Sequence, residues 1–122
     1  MSRGDDKRVV LVIDDEPAIR LLCRVNLELG GYDVLEAASL DEARRQLGSG
    51  VDVVLLDMHV GADRGENLLA ELRERGIPVA IVTGSTDLES VAAHGADAVL
   101  GKPFTIDELE TTVATLANIG PR

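Results

Sequence analysis

Three acidic side chains in a row, Asp14, Asp15 and Glu16, follow one apolar run, and a single aspartate, Asp57, follows another. A further apolar run closes on Thr83, and the next leads into Gly101, Lys102 and Pro103. Carboxylates crowded at one place repel each other unless a cation is present. A cluster of hard oxygen ligands open to solvent suits Mg²⁺, which keeps several waters and accepts only a few carboxylates. A carboxylate beside such an ion can act as nucleophile toward a phosphoryl group whose charge the ion neutralises. Lys102 offers a second positive charge, and Thr83 a hydrogen-bond donor, for phosphoryl oxygens. Taken singly, each residue also fits a plainer role. Asp14 and Asp15 suit a solvated turn ahead of a helix, Asp57 a loop cap, Thr83 a turn, and Lys102 a surface charge. The chemistry therefore depends on whether the fold brings them to one place.

The elements that would do so are legible. Apolar runs rich in Val and Ile at 9–13, 34–38, 51–56, 79–82 and 98–100 are too short for helices and read as strands. Between them lie helical stripes: Ala18, Leu22, Val25 and Leu29; Leu40, Ala43 and Leu47; Ile106, Leu109, Val113 and Leu116. Pro17 suits a first helical turn. Capping boxes stand at Ser39 with Glu42, Thr86 with Glu89 and Thr105 with Glu108. Gly30, Gly48, Gly76 and Gly95 follow four of the helices. These signals predict helices over residues 17–29, 39–47, 65–75, 86–94 and 105–118.

Strictly alternating strands and helices imply an α/β, doubly wound (βα)₅ architecture, a parallel sheet between two helical layers. In such sheets ligands sit beyond the carboxyl ends of the strands, where the winding reverses. Those ends carry Asp14 and its neighbours, Asp57, Thr83 and Lys102. The second strand ends in Ala37 and Ala38 and offers nothing polar, as suits an edge strand.

Composition excludes several classes. A chain of 122 residues with 45% apolar and 28% charged residues is one globular domain. The division expected is a flexible tail at 1–7 and one domain over 8–119. No apolar run approaches a membrane span, and the polar start shows no signal peptide. Cys23 is the only cysteine, so no disulfide framework forms and a reducing cytoplasm is the expected compartment. A net charge of −10 and a near absence of aromatics argue against direct nucleic-acid binding.

The segments VLVIDDEP, VVLLDMHV, IVTGS and VLGKPF, in that order, resemble the four signatures of response-regulator receiver domains, and the likeness covers about residues 8–118. The resemblance implies a flavodoxin-like sheet of order 2-1-3-4-5 and the following roles. Asp57 matches the phospho-acceptor. Asp14 and Asp15 match the acidic pair that holds Mg²⁺ with Asp57, Asp15 being the closer ligand, and the backbone carbonyl of His59 matches a further ligand. Thr83 and Lys102 match the switch hydroxyl and the phosphoryl-binding lysine. A cis peptide at Lys102–Pro103 is implied as well. A histidine kinase or histidine phosphotransfer protein would donate the phosphoryl group to this monomer or weak dimer. The signal would leave by protein binding on the face formed by the predicted helices 86–94 and 105–118.

Some positions depart from the family pattern. Gly61 stands where a proline is common, and Gly84 where an alanine is common. The usual switch aromatic is Val99, and only 12 positions separate Thr83 from Gly95, which shortens the predicted helix 86–94. The conformational response is therefore expected in residues 84–93, hinged at Gly84. His59 is expected to turn its side chain to solvent, and His94 to favour a helix end. Two other classes use the same residues: a small hydrolase with Asp57 as nucleophile, and an interaction module that is never phosphorylated.

Overall fold

Short Val-, Ile- and Leu-rich runs form five strands: β1 (Val9–Ile13), β2 (Asp33–Ala37), β3 (Val53–Asp57), β4 (Val79–Thr83) and β5 (Ala98–Gly101). The helices are α1 (Pro17–Leu29), α2 (Leu40–Leu47), α3 (Glu66–Glu74) and α4 (Ile106–Ile119). The computed structural model describes residues 7–58, 65–84 and 95–119. The predicted helix 86–94, the capping pair Thr86 and Glu89, His59, Gly61, His94 and most of the tail lie outside them. All strands pair in parallel in the expected order β2-β1-β3-β4-β5.

Strand alternation builds the two cores. On one face Leu11, Ile13, Val54, Leu56 and Ile81 pack with Leu40 and Leu47 of α2 and Leu68 and Leu72 of α3. On the other, Val10, Val12, Val53, Leu55 and Val82 pack with Cys23 and Leu27 of α1 and Leu109, Val113 and Leu116 of α4. Three layers result, and the central strands are apolar on both sides, as a parallel sheet requires.

The stripe that announces α1 is not the face it buries. Leu22, Val25 and Leu29 lie exposed with Leu21, and Leu29 keeps 81% of its surface. The buried line is Cys23 and Leu27, with Ile19 packed beside them. Both lines have helical spacing, so periodicity identifies the helix without choosing its inward side.

Element boundaries move slightly. β3 starts at Val53 rather than residue 51, and ahead of it the Asp52 carboxylate accepts from the Val9 amide (2.8 Å). Pro17 opens α1. Thr105 and Glu108 exchange both capping bonds (3.0 and 2.8 Å). Ser39 accepts from the Glu42 amide, but the Glu42 carboxylate reaches back to Ala38 instead of Ser39. After α1 the left-handed residue is Gly31 (φ 98°), not Gly30, which stays right-handed. Gly65 has a packing reason: a Cβ there would meet Leu56 and Met58 at 3.3 Å.

Leu55 is buried in the sheet centre against both α1 and α4 neighbours. Leu55→Ala is expected to lower unfolding free energy by about 2–5 kcal/mol, the range for deleting a buried Leu side chain. Urea denaturation reads this directly, and a loss below about 1 kcal/mol would contradict the packing described.

Candidate functional site

The register of the two central strands sets the geometry. Ile13 pairs with Leu56, so the next residues, Asp14 and Asp57, leave the sheet side by side. Both continue the alternation that points Val10, Val12, Val53 and Leu55 toward α1 and α4. Carboxylate oxygens of Asp14, Asp15 and Asp57 all lie within 4.8 Å of one another. Asp14 is buried, Asp57 half-buried and Asp15 exposed.

Lys102 reaches in from the end of β5. Its ammonium donates to Asp14 Oδ2 at 2.9 Å and pairs with Glu16 Oε1 at 3.4 Å and Asp57 Oδ2 at 3.7 Å. Its backbone N–H donates to the Thr83 carbonyl at 2.7 Å, extending the β4–β5 pairing in which Thr83 faces Gly101. The Lys102–Pro103 peptide is cis, as the resemblance implies. Thr83 is buried at the end of β4. Asp14, Asp15, Asp57, Thr83 and Lys102 thus share one sheet edge, while His59 lies outside the described residues.

Burial lowers the Lys102 pKa, but the hydrogen bond and charge of Asp14, joined by Asp57 and Glu16, outweigh it and hold the ammonium above its ordinary value. Lys102 therefore stays charged at neutral pH. Burial first, and then the charge of Asp14, push the Cys23 thiol up to about 12. Cys23 is a core residue beneath the site and not a nucleophile at neutral pH.

Four carboxylates, of Asp14, Asp15, Glu16 and Asp57, stand at this edge with one ammonium among them. The excess negative charge, the all-oxygen donors and the exposed side at Asp15 fit a hard divalent cation that keeps part of its water shell. Among the described residues, no buried side-chain nitrogen or oxygen lacks a partner.

Three contributors have no role in the sequence reading. Glu16 is a second carboxylate on Lys102, and its backbone N–H donates to Asp14 Oδ1 at 2.9 Å. Arg20 donates from Nη1 to the Asp14 carbonyl (2.7 Å) and from Nε to Glu36 Oε1 (3.1 Å). Glu36 is 16 residues from Arg20, so no local motif links them. The available signal is the one charge inside the apolar run 34–38, which needs a partner.

A family model described as the response regulator receiver domain matches residues 10–114. A transcriptional regulatory protein of Pseudomonas aeruginosa, AruR, is 35% identical over 117 residues, covering 88% of this chain and 48% of its own. The chain spans about half or less of the length of the curated relatives it matches. A CheY-like receiver domain from Methanospirillum hungatei superposes with a TM-score of 0.83 at 28% identity, covering 93% of this chain and 95% of that one. A Thermotoga maritima response regulator, TrrA, solved in complex with Mg²⁺–BeF, superposes with a TM-score of 0.79 at 31% identity, covering 89% and 98%. No helix of the described residues is long and apolar enough to cross a membrane.

Alkaline pH should weaken the fold through the two raised groups. A group whose folded pKa lies above its unfolded value stabilises fully below the unfolded value and loses that contribution as pH rises through the folded one. For Cys23 the loss begins near the unfolded thiol value of about 8.5 and continues toward about 12. Lys102 acts in the same direction at higher pH. Each group contributes a slope of up to about 1.4 kcal/mol per pH unit within its window. Urea unfolding of wild type should lose more stability between about pH 8 and about pH 10 than Cys23→Ala does. Parallel losses would contradict the burial assigned to the thiol.

Proposed function

Because the chain belongs to the response regulator receiver family, we propose that it is a phosphorylation-controlled signalling switch whose acceptor is Asp57. The observation that carries this reading is the gathering of Asp14, Asp15 and Asp57 around one point with Lys102 among them. Asp57 is half-buried at the end of a central strand, fixed by pairing to Val82 of β4, so its carboxylate is preorganised.

In the proposed reaction, a carboxylate oxygen of Asp57 attacks phosphorus. The donor's bond to phosphorus breaks, and its electron pair leaves with the donor group, which takes up a proton. Lys102 turns from Asp57 and Glu16 to the phosphoryl oxygens, a shift that needs no large movement. Thr83 donates its hydroxyl to the same oxygens. Asp14, Asp15, Asp57 and the backbone carbonyl of His59 would hold Mg²⁺. When bound, the ion offsets the charge that the incoming phosphoryl group adds to an already acidic edge. The Mg²⁺–BeF complex of the Thermotoga relative supports the same chemistry here. The chain turns over only its own phosphoryl group and is not a general enzyme.

The phosphoryl donor is a histidine kinase or histidine phosphotransfer protein, and the setting is cytoplasmic. A donor must dock at the sheet edge that carries Asp57. The exposed Leu22 of α1, with Ile19 and Phe104, lines a groove beside Glu16 and Lys102 and supplies apolar surface at that edge. The outgoing signal uses a separate face, along β5 and α4 together with residues 86–94. The domain itself occupies residues 8–119 and makes no direct contact with nucleic acid.

Treatment with acetyl phosphate and Mg²⁺ should add one phosphoryl group by intact-mass analysis, and chelation with EDTA should prevent it. Asp57→Asn should abolish the adduct while leaving the unfolding midpoint at or above wild type, since one of the crowded carboxylates is then neutral. Stoichiometric labelling of Asp57→Asn would refute the site. Repeated turnover without an accumulating adduct would favour the hydrolase class instead.

A further inference from the structure

The turn that carries the acidic pair is held by a single side chain from the helix it leads into. Arg20 lies in the first turns of α1 and is largely buried, with 17% of its side chain exposed. Its backbone N–H donates to the Glu16 carbonyl at 3.2 Å. Its side chain folds back over the turn, and Nη1 donates to the Asp14 carbonyl at 2.7 Å. The other edge of the same guanidinium, Nε, pairs with Glu36 on β2 at 3.1 Å. Arg24, one helical turn on, pairs with the second oxygen of Glu36 at 2.9 Å.

We infer that Arg20 is a positioning residue for the cation and phosphoryl site, tying the Asp14 backbone to Glu36 of the edge strand; the inference rests on the function proposed above. Asp14 is held on three sides. Its amide donates to the Ala37 carbonyl of β2 at 3.1 Å. Its carboxylate accepts from the Glu16 amide and from Lys102. Its own carbonyl accepts from Arg20. The first and last of these lead to β2, so the edge strand, which carries no site residue at its end, fixes the direction in which the acidic turn leaves the sheet. Glu36 orients Arg20 and neutralises it, so Arg20 brings geometry to the site with little net charge. A lysine keeps the charge but has no planar fork to bond a carbonyl and a carboxylate from separate edges.

The sign of the effect on Mg²⁺ separates positioning from electrostatics. A cation acting only by its charge beside the acidic cluster opposes Mg²⁺, so removing it would tighten binding. Loss of positioning weakens binding, and outer-shell partners of metal sites characteristically contribute about 10–100-fold in affinity.

The experiment measures Mg²⁺ affinity by calorimetry, and amide hydrogen exchange at Glu16 without Mg²⁺, for wild type, Arg20→Lys and Arg20→Gln. Thermal unfolding of each is followed in parallel. Positioning predicts that Arg20→Lys binds Mg²⁺ about tenfold more weakly and exchanges the Glu16 amide faster, and that Arg20→Gln, which also removes the charge, shifts the same way instead of binding more tightly. Affinity that is unchanged or tighter in both variants, with Glu16 exchange unaltered, overturns the inference and leaves the proposed function standing. A wild-type chain with no saturable Mg²⁺ binding overturns both. If one variant does not fold, the other decides the outcome by the same readings.

Discussion

Everything at the functional edge follows from the register of β1 against β3. Pairing Ile13 with Leu56 sends Asp14 and Asp57 out of the sheet together. Like charges placed side by side cost free energy, and burial of Asp14 adds to the cost. A slip of either strand by one residue would turn its aspartate to the opposite face and relieve the repulsion. It would also turn that strand's apolar pair, Val10 and Val12 or Val53 and Leu55, away from α1 and α4. The apolar core therefore holds the carboxylates where electrostatics alone would not, and Lys102 offsets only part of the charge.

The two ends of the sheet divide the labour. Its middle is apolar on both faces and supplies stability. Its carboxyl edge is acidic, partly open and bound together by hydrogen bonds to Asp14, from Glu16, Lys102 and Arg20. Such an edge is stiff without being neutral. That combination suits a reaction that brings more negative charge, because the receiving groups need little rearrangement and the missing positive charge can be supplied by a cation. Cys23, under the same edge, is kept protonated by burial and takes no part.

Strand order, the layers and the positions of Asp14, Asp15, Asp57, Thr83 and Lys102 are legible because each rests on a local pattern that ends at a strand terminus. What escapes local pattern is also clear. Ala18, Leu22, Val25 and Leu29 mark α1 as helical, yet the helix buries Cys23 and Leu27, because a short helix can carry two apolar lines and only tertiary packing selects one. Arg20 and Glu36 meet across 16 residues, and nothing near either announces the other. Glu42 satisfies the Ala38 amide rather than that of its own cap residue, Ser39. The response expected in residues 84–93 lies, apart from Gly84, outside the described residues.

The central claim is that the core holds three carboxylates at one point, with too little positive charge to balance them. Unfolding free energy as a function of Mg²⁺ tests it most directly. A ligand that binds only the folded state stabilises it by RT ln(1 + [L]/Kd). Stability should therefore climb with the logarithm of Mg²⁺ once the site fills, well beyond the effect of NaCl at matched ionic strength, and Asp15→Asn should flatten the climb. Mg²⁺ no more stabilising than matched NaCl would contradict the claim.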